Sequence, residues 1–400
     1  MRDDAVLEFD YMPQSIGIGV VGTGIMGAAH AMAFRSAPTI FQTALSADLQ
    51  VVADVNLAAA QNAAQRFGFK RAVGSWQDLL ADPAVELVSI TTPNALHAEI
   101  AIAALKAGKH VYCEKPLAAD LSAAEEMAAT ASRAKGKTLV GYNYLRSPAI
   151  WFAKKLIKDG VIGEVSYFRG VCDEDYMADA ETPYSWRCRR DMAGLGALGD
   201  LASHLVSVAH DLIGPVRRLV ADTRIVIPKR PVPAAGDGTE RRDVKVALSG
   251  EYRAVENEDT AHALVQFDNG VMGTLVTSRA HWGRKSHLGF EVFGSKGSIL
   301  FDHERMNELQ LYSRDATDAP TNGYRLIPIG PEHPFYGRFS PAKGHGIGFN
   351  DLKIIEAAHL LEGIAGKETL SPTIGEALAI EKVLHGIIAS TKSGKWVDLG

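Results

Sequence analysis

Ile16-Gly17-Ile18-Gly19-Val20-Val21-Gly22-Thr23-Gly24-Ile25-Met26-Gly27 is the stretch that decides the fold. Ile16 to Val21 is an apolar run of the length of a buried strand. It passes directly into Gly-x-Gly-x-x-Gly, and a helix is predicted to open at about Ile25. In a strand–turn–helix each glycine has a mechanical task. Gly22 allows the tight turn, Gly24 puts no side chain in the way of a pyrophosphate, and Gly27 lets helix and strand pack closely. Thr23, Ile25 and Met26 complete the turn. The helix N-terminus offers free N–H groups and the positive end of its dipole to phosphates. A plain glycine-rich turn is the alternative, and the position between strand and helix argues against it.

Outward from this turn, strands are predicted at 49–54, 86–91, 110–113 and 139–142, with helices over 57–67, 96–107 and 122–134 between them. Alternation of strands with helices of ten or more residues predicts an α/β half built on a doubly wound parallel sheet, a Rossmann arrangement, over residues 1–145. Residues 1–13 read as a loose leader, and 38–46 as a lengthened loop. Past Pro148 the pattern changes. A helix (150–158) and a strand (165–171) precede a helix over 199–213. Then come short strands with hairpin signals at Asp268-Asn269-Gly270 and Ser295-Lys296-Gly297. This predicts an α+β domain over 146–400 with an open, mainly antiparallel sheet, a surface loop over 228–250, and closing helices at 351–361 and 374–389.

A chain of 400 residues is too long for one ordinary core and suits two domains. At 46% hydrophobic and 22% charged residues it has the balance of a globular protein, and a formal net charge of −5 argues against a nucleic-acid partner. Cys113, Cys172 and Cys188 form no Cys-x-x-Cys pair and do not suggest a disulfide scaffold. Residues 15–34 are apolar enough to resemble a membrane or signal segment. The acidic Asp3, Asp4, Glu8 and Asp10 ahead of them deny it a basic n-region, and its glycines and His30 suit a turn better than a bilayer. The expectation is a cytoplasmic protein with no membrane partner.

Asp54 ends the second strand, where a carboxylate can accept hydrogen bonds from adenosine ribose hydroxyls. It would repel a 2′-phosphate: two unit charges ~4 Å apart interact by about 4 kcal/mol at an effective dielectric near 20. Val55-Asn56 supplies no arginine to offset this, so NAD is expected rather than NADP. Thr92-Pro93-Asn94 ends the third strand at the carboxyl edge of the sheet, where ligands bind in such folds. His97 either lines the cofactor or caps its helix. Lys115 stands between Glu114 and Pro116 at the same edge, and a proline restrains the backbone before it, so its amine is aimed. Asp200 and His204 are i and i+4 on a predicted helix, one face presenting both. A nearby carboxylate could hold the imidazole in place, and imidazole titrates in the range needed to take a hydroxyl proton. An ordinary helix ion pair is the alternative.

These residues resemble the Gfo/Idh/MocA family over nearly the whole chain. The resemblance is carried by the glycine turn followed by His30, by Thr92-Pro93-Asn94 with His97, and by Glu114-Lys115-Pro116. Gly163-Glu164-Val165, Asp200-x-x-x-His204 and the hairpin Phe293 to Ser298 complete it. Within the family, Ser185-Trp186-Arg187, Gly196 to Asp200 and Gly346-Ile347-Gly348 are most similar to the pyranoside dehydrogenases. The resemblance implies a Rossmann domain followed by an open-sheet domain that forms dimers or tetramers. It implies a lysine–proline bond that is often cis, Lys115 and His204 at the reacting hydroxyl of a sugar or cyclitol, and Asp200 beside them. Two positions depart from the pattern: Ala202 stands where many members have glycine, and Ser207 where many have an acid.

The expected chemistry is hydride transfer from a secondary alcohol to NAD, with His204 taking the proton and Lys115 stabilising the alkoxide. Glu114 and Asn143 are expected beside the cofactor. Tyr142, Arg146, Trp186 and Arg187 are expected, with Asn143, in the pocket wall. Phe335-Tyr336 is expected to reach a neighbouring subunit. An NAD-using glycosidase and a non-catalytic sugar or dinucleotide sensor are the alternatives.

Overall fold

The computed structural model describes residues 14–234, 246–314 and 322–400. The expected leader, 1–13, and the middle of the expected 228–250 loop lie outside the described residues. The N-terminal sheet holds β1 (Gln14–Val21), β2 (Leu45–Ala53), β3 (Arg71–Val73), β4 (Leu87–Ile90), β5 (His110–Cys113) and β6 (Thr138–Val140). All are parallel, in the order β3-β2-β1-β4-β5-β6, the doubly wound order that reverses between β1 and β4. Helices α1 (Ile25–Phe41), α2 (Leu57–Phe67), α3 (Trp76–Leu80), α4 (His97–Lys106) and α5 (Leu121–Ala131) connect the strands.

Register positions the site. Val21 pairs with Ala53 and Ile90, Ile90 with Cys113, and Cys113 with Val140. The next residue of each strand therefore stands in one row along the carboxyl edge: Gly22, Asp54, Thr91, Glu114 and Gly141. At the turn itself Gly22 has φ +99°, and a Cβ there would lie 2.7 Å from the Thr91 carbonyl oxygen. A Cβ on Gly27 would meet the Gly22 carbonyl oxygen at 2.1 Å, so helix and strand close together only with glycine at both positions.

The expected loop at 38–46 is mostly regular structure. Helix α1 runs through Pro38 to Phe41 and β2 starts at Leu45. A long helix and a long strand, not a long loop, separate Asp54 from the glycine turn. Strand β3 and helix α3 were not anticipated, being three and five residues long and too short to show a period.

The second half opens with α6 (Pro148–Lys158), then β7 (Val165–Asp173), α7 (Arg190–Ala193) and α8 (Ser203–Leu212). Its strands continue as β8 (Val216–Arg224), β9 (Lys229–Pro233), β10 (Leu248–Ala254), β11 (Thr260–Phe267), β12 (Met272–Ser278), β13 (His287–Gly294), β14 (Gly297–Asp302), β15 (Glu308–Ser313), β16 (Arg325–Pro328) and β17 (Val397–Asp398). Nine of them form one open sheet in the order β16-β15-β14-β13-β7-β12-β11-β8-β17. The sheet is antiparallel except where β7 runs parallel to β12. β9 and β10 pair separately, so the ends of the expected 228–250 loop are strands.

The last helices, α9 (Phe349–Ile364) and α10 (Ile374–Ser393), fold back toward the first half. Ala357, Ala358, Leu360 and Leu361 of α9 join the core of Ile16, Ile18, Val20 and Phe34. Among the described residues, one helical run, 190–212, is long and apolar enough to cross a membrane, and 83% of its apolar window is buried inside the protein. Cys113, Cys172 and Cys188 are buried and free.

Candidate active site

A cleft of about 610 Å³ lies at the carboxyl edge of the parallel sheet, and both halves of the chain wall it. Gly24, Ile25 and Met26 stand on one side, with Thr92, Asn94, Glu114, Lys115 and Asn143; Trp186, Arg187, Asp200 and His204 face them. Helix α1 begins here with no side-chain cap and no acidic residue in its first turn. Asp54 closes the glycine turn: its carboxylate accepts the Thr23 N–H at 3.0 Å, the Thr23 hydroxyl at 2.6 Å and the Asn56 N–H at 2.9 Å. Among the described residues, four buried polar atoms of cleft-wall residues, Thr92 Oγ1, Asn143 Nδ2, His204 Nδ1 and His303 Nδ1, have no partner.

Lys115 reaches across to the second half. Its ammonium donates to the Asp200 carbonyl at 2.8 Å and to Asp200 Oδ1 at 2.9 Å. The Lys115–Pro116 bond is cis. The Tyr176 hydroxyl donates to Asp200 Oδ2, and Arg187 Nε stands 3.9 Å from the same oxygen. Burial works against ionisation of Asp200, but the charges of Lys115 and Arg187 and the hydrogen bonds prevail, holding its carboxyl well below the usual range.

The expected Asp200–His204 pair is not formed. Residues Leu198–Ala202 make one widened π-helical turn ahead of α8, so α-helical spacing does not apply across them, and Asp200 pairs with Lys115 instead. His204 stacks on Tyr144 with ring centres 4.3 Å apart, and its Nδ1 is buried without a partner. Burial, reinforced by the Lys115 charge, pushes its pKa well below 6.5, so the imidazole is neutral at physiological pH.

Other expected wall residues lie elsewhere. Tyr142 is fully buried behind His204, ring edge to ring face at 6.1 Å. Arg146 is buried, and its guanidinium donates to the Ser371 carbonyl. The chain leaves β6 through a 3₁₀ turn over Asn143–Arg146, and from this turn Asn143 and Tyr144 reach the cleft while Tyr142 and Arg146 do not. His97 is 1% exposed and lies behind the wall, its ring nitrogens each 2.9 Å from the carbonyls of Pro116 and Thr92. Pro93 precedes a 3₁₀ turn and is not part of the cleft wall. Ser207 is buried, its hydroxyl donating to the His204 carbonyl. Tyr336 is fully buried in its own chain, donating to the Ala342 carbonyl and accepting the Gly346 N–H, while Phe335 packs on Trp151 with ring centres 5.2 Å apart.

The sequence reading missed Tyr144, Tyr176, Glu174, Arg279 and Lys285 in the wall. Only Tyr144 carried a signal, as the neighbour of an expected residue. The others come from strand ends and loops whose positions depend on sheet order.

Residues 16–142 match the oxidoreductase family with an NAD-binding Rossmann fold, and residues 150–300 match the GFO/IDH/MocA C-terminal domain. Levoglucosan dehydrogenase from Pseudarthrobacter phenanthrenivorans is 37% identical over 96% of this chain and 98% of its own. The solved structure of levoglucosan dehydrogenase in complex with NADH and levoglucosan superposes with a TM-score of 0.90 at 35% identity, over 96% of this chain and all of that one. Myo-inositol 2-dehydrogenase from Thermotoga maritima is 27% identical over 72% of this chain and 75% of its own. The chain belongs to the Gfo/Idh/MocA family of oxidoreductases. It is an NAD-binding enzyme of that family.

Proposed function

We propose that this enzyme oxidises a secondary hydroxyl of a pyranose, anhydrosugar or cyclitol by hydride transfer to NAD. The observation that carries this reading is the convergence of Lys115 and His204, from separate halves of the chain, on one cleft that also opens onto the glycine turn. The similarity to levoglucosan and inositol dehydrogenases supports the substrate class. We further propose a division of the chain near residue 145 and a homo-oligomer in the cytoplasm.

The donor set fits the dinucleotide. Gly22 to Gly27 and the uncapped α1 terminus would hold the pyrophosphate, and Asp54, with lone pairs to spare after its three bonds, would take the ribose hydroxyls. Thr92, Asn94, Glu114 and Asn143, which line the cleft beyond the glycine turn, would border the nicotinamide half. NAD, once bound, supplies the hydride acceptor.

Two of the three donors of the Lys115 ammonium go to Asp200, and the third stabilises the substrate oxygen as charge develops on it. His204 removes the hydroxyl proton. Its Nδ1 is buried without a partner, which leaves Nε2 as the ring nitrogen to take the proton. Asp200 orients Lys115, not the imidazole, and Trp186 and Arg187 shape the sugar side.

The test is a screen of NAD reduction over pyranosides, anhydrosugars and inositols, run with the wild type and with Lys115→Ala. The wild type should form NADH with at least one of them. The variant should lose about 10²–10³-fold or more in kcat while still binding NAD. Full activity in the variant, or turnover without net NADH, would refute the proposal.

A further inference from the structure

Behind the Lys115 turn lies a second charged cluster that the proposed chemistry does not use. Lys353 of α9 is 1% exposed, and its ammonium donates to Glu114 Oε1 at 2.5 Å, to Glu356 Oε2 at 2.9 Å and to the Gly141 carbonyl at 3.4 Å. Glu356 also accepts the Tyr112 hydroxyl. His30 of α1 lies with Nε2 2.8 Å from Glu114 Oε1 and Nδ1 2.7 Å from the Ser89 hydroxyl, and it stacks on Tyr112.

Glu114 joins this cluster to the site. One carboxylate oxygen belongs to the cluster, while the other, Oε2, accepts the Lys115 backbone N–H at 3.3 Å. The residue itself lines the cleft. A buried ion pair is no better for stability than apolar groups of the same volume, so packing alone does not call for an ammonium here. Its geometry does: Lys353 sits at hydrogen-bond distance from the carboxylate that holds the backbone from which Lys115 extends.

We propose that Lys353 is a positioning residue, which keeps Glu114 ionised and fixed so that the Lys115 turn is held toward the cleft. The inference rests on the role given to Lys115 above. Burial pushes the Glu114 carboxyl up; Lys353 and His30 outweigh this and hold it far below the usual range. The other titratable and charged groups facing Glu114 are Tyr112, Cys113 and Lys115 on and beside β5, His97, Tyr142, His204 and Glu356. Apart from Lys115, whose ammonium is committed to Asp200, Lys353 is the ammonium among them.

The experiment compares Lys353→Met, Lys353→Arg and Glu114→Gln with the wild type in steady-state kinetics from acid to alkaline pH, with NAD affinity measured directly. Lys353→Met should lose about 10- to 100-fold in kcat at neutral pH, with substrate KM and NAD affinity nearly unchanged. Part of the loss should return as pH rises, because Glu114 without its ammonium ionises only at higher pH. Lys353→Arg should restore most of kcat, and Glu114→Gln should show the loss with no alkaline recovery. Wild-type kcat in folded Lys353→Met, or a loss equal at every pH, overturns the proposal. If Lys353→Met does not fold, wild-type kcat in Glu114→Gln overturns it. An inactive Lys115→Ala beside unaffected cluster variants sinks this inference alone, whereas an active Lys115→Ala sinks the reading beneath it.

Discussion

Two charged clusters meet at the Lys115–Pro116 turn, and access to solvent separates them. Behind the turn, the side chains of His30, Glu114, Lys353 and Glu356 are between 0 and 6% exposed. In front of it, those of Lys115, Arg187 and Asp200 are 16, 29 and 26% exposed. In the closed cluster the three N–H donors of Lys353 have four protein oxygens within reach, including the Tyr112 hydroxyl at 3.3 Å. In the open one Lys115 keeps a donor for a ligand. Ion pairs of the same kind thus stand on both sides of the turn, one set closed to water and one open to the cleft.

Breaking the open cluster should cost turnover first. His204→Ala should lower kcat by about 10²–10⁴-fold at unchanged NAD affinity; a small effect would remove His204 as the base. The wild-type rate should also pass through the ordinary imidazole range near pH 6.5 without an acid limb from His204, since burial and Lys115 push that titration well below it. A limb at 6.5 that vanishes in His204→Ala would contradict the burial argument.

Glu381 sharpens the contrast from the buried side. It lies 1% exposed on α10, accepts the Leu117 N–H at 2.7 Å, and has its carboxyl pushed up to about 8 by burial. The folded state holds this proton where the unfolded chain, with a value near 4.5, releases it. Glu381 therefore favours folding below about pH 4.5, and that contribution is lost as pH rises to about 8. Glu381→Gln should remove a fall of up to a few kcal/mol in unfolding free energy over that window, read by denaturant titration at pH 5 and pH 8. An identical pH dependence in both proteins would show the carboxyl to be ionised. The smallest effect is expected from Tyr176→Phe, which removes one donor from Asp200 Oδ2. Asp200 keeps Lys115, so the loss in kcat/KM should be about tenfold at most.

Much of the first half was legible along the chain. A strand, a helix and three glycines are adjacent in sequence, and close packing of Gly27 on Gly22 leaves no other residue type that fits. The edge residues Asp54, Thr92, Glu114 and Lys115 were legible because each ends a strand of one parallel sheet. The site's far wall was not. The i,i+4 spacing of Asp200 and His204 presumed an α-helix, and a π turn sends Asp200 to Lys115. His97 has the residue type of a ligand contact but is held by two carbonyls behind the wall.

The sequence by itself determined the parallel sheet, the dinucleotide turn and the lysine at its edge, because those depend on contacts within one strand–turn–helix and on hydrophobic period. Tertiary structure alone decided which partners the charges take. Lys353 and Glu356 lie more than 200 residues after Glu114, and Asp200 and Tyr176 come from a π turn and a loop of the second half. Short-range electrostatics acts over a few ångströms, so only the packing of α9 on α1, and of one half on the other, could say which ammonium meets which carboxylate.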